Sequence, residues 1–107
     1  MEDYVPISPY IDKDALQNLN GFIVKKLNDA IFMGQINEEG EREGLGVMVY
    51  KYGRIYEGAW SKDRREGKGY EVYTNGNTYN WDYKNGKPHG RGTYKWLNKE
   101  SYEGEWY

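Results

Sequence analysis

The chain has no cysteine, three prolines, one histidine and no apolar run near the roughly 20 residues that a membrane-spanning helix needs. Without cysteine, disulfides and thiolate zinc sites are excluded, and the chain fits a reducing compartment. Aliphatic residues are also scarce. A hydrophobic content of 37% over 107 residues speaks against a deep globular core and sets a soft limit of one domain. The opening Met1-Glu2-Asp3-Tyr4 is acidic and polar, unlike the basic entry of a secretory signal or transit peptide. A cytoplasmic protein is therefore expected. The net charge of −2 gives no general attraction to nucleic acid, which usually needs a clustered basic field, so no nucleic-acid partner is expected. The balance is uneven, with 5 basic and 9 acidic residues up to Gly53 and 10 basic and 8 acidic beyond it.

What is abundant is aromatic rings and glycine: 12 Tyr, 4 Trp, 2 Phe and 14 Gly. They recur in phase. Gly44-x-Gly46 returns as Gly67-x-Gly69 and Gly90-x-Gly92, steps of 23 residues, and Tyr56, Tyr79 and Tyr102 keep the same step. One unit upstream, Phe32-Met33-Gly34 fills the slots of Tyr56-Glu57-Gly58, and its distance of 24 to Tyr56 implies one inserted residue in the loop Glu38–Glu43. The second glycine of each pair precedes the next aromatic start by ten, and ten before Phe32 lies Phe22. A half repeat is thus expected at residues 21–31, repeats at 32–55, 56–78 and 79–101, and a partial repeat at 102–107. An internal period must be found first, because it decides the whole fold.

Alternation predicts what a unit is. Tyr56, Gly58 and Trp60 stand at i, i+2 and i+4 and share a face of an extended strand, with Glu57 and Ala59 on the other. Gly67, Gly69, Glu71 and Tyr73 repeat that parity, as do Gly90, Gly92, Tyr94 and Trp96. Each unit is therefore a β-hairpin, with Asn75-Gly76 expected as a primed turn and Asn85-Gly86 as a second reversal. Glycines on the ring face open hollows into which neighbouring rings lie. A single sheet of this kind buries mainly one face. Residues 1–20 fall outside the register: Pro6 and Pro9 oppose regular structure, and Asp12-Lys13-Asp14 before Ala15-Leu16, stopping at Gly21, reads as a short capped helix able to cover the first strand.

The motif Y-x-G-x-W followed by G-x-G resembles the MORN-repeat family, clearly over residues 32–106 and by register alone over 21–31. The resemblance implies an all-β fold: an elongated single-layer antiparallel sheet of consecutive hairpins, about seven or eight strands, with the N-terminal arm or helix of residues 1–20 beside the array of 21–107. Two positions depart from the pattern. Trp81 stands where glycine is expected and Tyr83 where tryptophan is expected, so either the sheet opens there or a partner inserts.

Chemistry is sparse. His89, in Lys87-Pro88-His89-Gly90, is alone and cannot build a metal site by usual ligand counts. Ser61 and Ser101 have no nearby base or elbow motif. Glu38, Glu39, Glu41 and Glu43 lack the alternating spacing of a calcium loop and read as a solvated loop. No catalytic, cofactor or metal residues are expected, and no enzyme. Stacked hairpins would bring Lys62, Arg64 and Arg65 onto one edge with Lys84, Lys87 and Arg91, a cationic strip diluted by Asp63, Glu66 and Asp82.

The favoured expectation is a non-catalytic protein-interaction scaffold, a small structural subunit within a larger complex of other protein subunits. Its docking residues are expected to be Trp81, Tyr83, Trp96, Tyr102, Trp106 and Tyr107, since the Tyr102–Tyr107 strand has no hairpin mate. The family resemblance implies a cytoskeletal setting, notably the ciliary axoneme and its radial spokes. The alternative is a peripheral membrane tether that binds anionic phospholipid through Lys62, Arg64, Arg65, Lys84, Lys87 and Arg91.

Overall fold

Gly and ring positions are laid out as strands in a computed structural model that describes residues 11–98 and 100–106. A short helix α1 (Lys13–Gln17) precedes eight strands: β1 (Phe22–Lys26), β2 (Ala30–Ile36), β3 (Arg42–Tyr50), β4 (Ile55–Ser61), β5 (Arg64–Val72), β6 (Thr78–Lys84), β7 (Lys87–Lys95) and β8 (Ser101–Trp106). They form one open antiparallel sheet in sequence order, each strand hydrogen-bonded to the next. Strand twist shapes this single layer into a body of 39 × 27 × 26 Å.

The two glycines of each pair do different jobs. At the second, Gly46, Gly69 or Gly92, a ring fills the space of the missing side chain: a Cβ on Gly46 would stand 2.6 Å from the Phe32 ring, and one on Gly69 2.5 Å from Cε2 of Tyr56. Gly92 meets Tyr79 in the same way. The first glycine is a conformational device. Gly44, Gly67 and Gly90 have φ of +101°, +83° and +77°, and the register jumps beside them, Gly58↔Gly69 being followed by Trp60↔Arg65. Each hairpin thus carries a β-bulge on its second strand, which increases twist and needs a backbone that residues with a Cβ avoid. The expected shared parity of Gly67 and Gly69 is corrected here, because a Cβ on Gly67 would face Ala59 and not the rings.

The bulge also explains Trp81. The ladder runs through it unbroken, Gly69↔Trp81↔Gly92, so the sheet does not open. Trp81 instead adopts the backbone of the glycine it replaces, with φ +107° where Gly58 has +157° and Gly104 +155°. Such a φ is strained for an aromatic residue.

Turns divide differently from the sequence expectation. Lys62-Asp63 and Asn85-Gly86 are the two-residue primed turns, with φ of +49° and +69°, and +53° and +85°. Asn75-Gly76 sits in a longer loop, Tyr73 to Asn77, closed by Tyr73 N–H to Asn77 O at 2.8 Å, with Asn75 Oδ1 accepting from Asn77 N–H. Between equivalent pairs, Ile36↔Arg42 and Trp60↔Arg65, the β2–β3 reversal is one residue longer, and it is an open five-residue loop closing with Asn37 N–H on Glu41 O at 2.8 Å.

Both faces of the sheet bury apolar groups, contrary to the one-face expectation. Phe32, Met48, Tyr56, Trp60, Tyr79 and Tyr83 form the ring cluster on one face, and Met33 and Val47 pack with Ile11 and Leu16 on the other. Asp12 caps α1, its carboxylate accepting from Asp14 N–H at 2.9 Å and Ala15 N–H at 3.3 Å. The helix therefore covers the aliphatic face of β2 and β3, where β1 alone had been expected to need cover.

The division of labour between glycines gives a measurable contrast. Gly69→Ala must expel the Tyr56 ring and is expected to lose about 3 kcal/mol in urea unfolding. Gly86→Ala enters open space and meets only the cost of a positive φ, about 1 kcal/mol.

Candidate interaction surface

The ring ladder is continuous. Phe32 and Trp60 meet edge to face at 5.5 Å, Tyr56 and Trp60 at 5.2 Å, Tyr56 and Tyr83 at 5.0 Å, Tyr79 and Tyr83 at 5.3 Å, and Tyr79 and Trp106 at 5.4 Å. These T-shaped pairs place ring edges on ring faces, the arrangement favoured by the aromatic quadrupole. Tyrosine hydroxyls are satisfied within the strand, Tyr56 donating to Ala59 O at 2.8 Å and Tyr79 to Asp82 O at 2.9 Å. Burial pushes the hydroxyls of Tyr73 and Tyr79 up to about 12, and that of Tyr56 higher still.

A charge sits inside this ladder. Glu71 occupies the slot held by Met48 one unit earlier and Tyr94 one unit later, and is 1% exposed. Its carboxylate accepts from Arg54 Nε at 2.6 Å, from an Arg65 terminal nitrogen at 3.0 Å and from the Tyr83 hydroxyl at 2.8 Å. Burial, joined by the Glu71 charge, drives the Tyr83 hydroxyl far above its ordinary value. Arg65 also lies 5.6 Å from the ring centres of both Tyr56 and Tyr83, as Arg42 lies 4.8 Å from Trp60 and 5.9 Å from Phe32. A guanidinium thus lids the ladder in two successive units, and Pro88 takes its place in the third.

Two of the expected contact residues are consumed by this packing. Tyr83 is 3% exposed and belongs to the core, so it cannot serve as an open docking ring. Arg65 is clamped on Glu71 and leaves the cationic strip. Trp81 is half-buried beside Lys68, whose Nζ lies 5.0 Å from its ring and which pairs with Asp82. Tyr107 lies outside the described residues.

The remaining rings gather at one edge. Trp96 is 41% and Tyr102 45% exposed, and Trp106 is half-buried. Tyr94 bridges them, 4.7 Å from Trp96 and 5.9 Å from Trp106, with Tyr102 5.3 Å from Trp106. Sequence reasoning named three of these four rings and missed Tyr94, whose place in the 23-residue register could have signalled it.

The cations Lys62, Arg64, Lys84 and Lys87 are exposed at the end of the sheet that carries the primed turns, and Arg91 is exposed on β7, its guanidinium 3.9 Å from Glu105. The acids among them accept hydrogen bonds from the backbone of neighbouring strands and turns. Asp63 accepts from Arg42 N–H at 2.8 Å, which holds its carboxyl below the usual range; Glu43 accepts from Lys62 N–H and Glu66 from Asn85 N–H. Each turn is tied to the strand before it, and of the three acids set against the strip Asp63 and Glu66 serve as such ties while Asp82 pairs with Lys68. Among the described residues no group of three or more His, Asp or Glu is placed to hold a metal ion.

Three stretches, residues 38–51, 56–78 and 82–99, match the MORN-repeat family profile, together about half of the chain. The chain belongs to the MORN-repeat family. No curated protein matches it significantly. MORN repeats are a non-enzymatic repeat type that acts in protein or membrane interactions. In these repeats the bulge glycine and the hollow glycine are now distinguishable, and so is the slot in which Glu71 replaces an apolar side chain.

Two expectations follow from the ladder. Glu71→Gln leaves the partly buried Arg65 and the more exposed Arg54 without their counter-charge and is expected to cost about 3 kcal/mol, whereas Glu71→Met with Arg65→Met removes the more deeply buried pair, leaves Arg54 to turn to solvent and recovers more than half of that; chemical denaturation of the three chains decides it. Raised tyrosine values in the folded state stabilise it fully below the unfolded value of about 10. That stability is lost as pH rises towards about 12, so melting temperature should fall over this interval in step with tyrosinate absorbance.

Proposed function

We propose that this MORN-repeat chain is a non-catalytic scaffold that holds other protein subunits of a larger assembly. The observation that carries the reading is the cluster of Tyr94, Trp96, Tyr102 and Trp106, four touching rings at one edge with two of them more than 40% exposed. Rigid aromatic side chains with a polar tip are the usual anchors of protein interfaces. The cytoskeletal setting, an axonemal assembly of the radial-spoke kind, is supported by family resemblance.

A second reading is favoured by the loop geometry. Lys62, Arg64, Lys84 and Lys87 project from one end of the sheet while the neighbouring acids are turned into backbone contacts. That end suits a surface of anionic phospholipid, where each basic residue contributes about 1 kcal/mol.

One comparison separates them. Proteins cross-linked to the chain in detergent-extracted cytoskeletons should be lost with Trp96→Ala plus Trp106→Ala and kept with Lys62→Glu plus Lys84→Glu. Flotation with phosphatidylserine vesicles that follows the lysine variants and falls with salt would instead favour the membrane reading.

A further inference from the structure

At the end of the sheet away from the primed turns, the 23-residue step sets up the same recess twice, once closed and once open. Between the β5–β6 and β7–β8 reversals it is closed. A Cβ on Gly76 would stand 3.1 Å from Leu97 Cδ1, Leu97 N–H donates to Asn77 Oδ1 at 2.9 Å, and Asn77 Nδ2 donates to the Tyr94 hydroxyl at 3.0 Å. One unit earlier it is open. Gly53, the counterpart of Gly76, would meet nothing within 4 Å of a Cβ, and an exposed Thr74 stands in the slot of Leu97. Arg54 takes the slot of Asn77. Strands β3 to β6 are each paired on both sides, so the opening comes from these residues and from no unpaired end of the sheet.

The open recess is lined by Arg54, Tyr73, Thr74 and Asn75, and each of the four brings a hydrogen-bond donor. The Asn75 side-chain oxygen already accepts from Asn77 N–H, which leaves its amide nitrogen to donate. Charge points the same way. One carboxylate, Glu71, answers two guanidinium groups, so the cluster of Arg54, Arg65 and Glu71 carries one net positive charge. The Arg54 side chain is 36% exposed against 17% for Arg65, so solvent meets that charge chiefly at Arg54. Its bond to Glu71 uses Nε, and its terminal nitrogens make no ion pair among the described residues. A carboxylate complements this recess in charge and in hydrogen bonding.

Geometry restricts the segment that brings the carboxylate. Strand addition is excluded, because every strand here already has two neighbours. Rings flank the recess instead. Tyr50, 4.8 Å from the Arg54 guanidinium, and Tyr73 hold one slot in successive units, two strand spacings or about 9.5 Å apart. A polyproline II helix repeats every three residues, about 9.3 Å, and docks on aromatic side chains without any ladder of backbone bonds.

We propose that the recess between the β3–β4 and β5–β6 reversals binds a proline-rich segment of a partner protein, whose glutamate enters beside Arg54, Thr74 and Asn75 while prolines three residues apart rest on Tyr50 and Tyr73. This adds to the scaffold reading a second surface, separate from the rings at β7 and β8.

The test uses the whole chain and a labelled seven-residue peptide, Ala-Pro-Pro-Glu-Pro-Pro-Ala, followed by fluorescence anisotropy. Saturable binding is expected. It should weaken at least tenfold when lysine replaces the peptide glutamate, and at least tenfold when glycines replace its prolines. Thr74→Glu, a change at an exposed loop position that should leave the thermal transition in place, should weaken it as much. The lysine peptide should bind the Thr74→Glu chain better than the original chain. Trp96→Ala plus Trp106→Ala, at the far strands, should leave the affinity unchanged. Absence of saturable binding, equal binding of the lysine or the glycine peptide, or indifference to Thr74→Glu would each overturn the proposal. If the peptide fails while Trp96→Ala plus Trp106→Ala still releases the cross-linked proteins, the scaffold reading stands and the recess inference alone falls.

Discussion

Everything in this sheet depends on one steric fact: a ring from one strand lies where the next strand has no side chain. A chain with so few aliphatic residues cannot fill a core by volume, so it fills one by register, putting Phe32 on Gly46, Tyr56 on Gly69 and Tyr79 on Gly92. The fit tolerates no sliding, since a shift of one residue would turn each ring to the other face. The bulge at the first glycine of each pair then follows. It lets Arg42 or Arg65 come over the ring just beyond the hollow, closing the exposed side of the ladder with a cation on a π face.

Register also explains why a buried carboxylate is tolerated. The slot of Glu71 is lined by Tyr56, Tyr73 and Tyr83 and reached by Arg65 from the lid position and Arg54 from the preceding loop. The parallel slot of Tyr94 is reached by Asn77, whose Nδ2 donates to the Tyr94 hydroxyl at 3.0 Å, from the same loop position as Arg54 one unit on. One scaffold thus accepts an apolar, an anionic or a phenolic side chain at the same register position, the first two fully buried and Tyr94 partly so. Burial of such a triad adds little net stability compared with apolar packing, but it penalises any pairing that separates its members.

The 23-residue period made the strand order, the hairpins and the ring face legible, because glycine and aromatic residues report both parity and spacing. Three features were not legible from parity alone. Gly67 and Gly69 look equivalent two residues apart, and only the jump from Gly58↔Gly69 to Trp60↔Arg65 separates bulge from hollow. Tyr83 looked like an anomaly at a tryptophan slot, yet its hydroxyl is the group that answers Glu71. The joint departure of Glu71 and Tyr83 from a purely apolar ladder was available in the register and would have assigned both to the interior, with Arg65 as the lid above them in the slot of Arg42. Arg65 was instead grouped with its exposed sequence neighbours Lys62 and Arg64, because proximity in a loop does not show which way a bulge turns a side chain.

The two ends of the sheet are built from different materials. At β2 and β3, Met33 and Val47 are covered by Ile11 and Leu16 of the helical segment, while Phe32 and Met48 fill the ring face, so the middle of these two strands is buried on both faces, although Val24 on β1 and Leu45 on β3 stay exposed. At β7 and β8, Thr93, Glu103 and Arg91 occupy the face that is aliphatic earlier, and the rings that should close the ladder are half open. In a repeat array each unit is stabilised by its neighbours, so free energy of opening falls towards the end with fewer closed contacts. The strands that present Trp96, Tyr102 and Trp106 are therefore also those cheapest to rearrange. A partner seated there would gain ring burial and at the same time close the least protected part of the sheet.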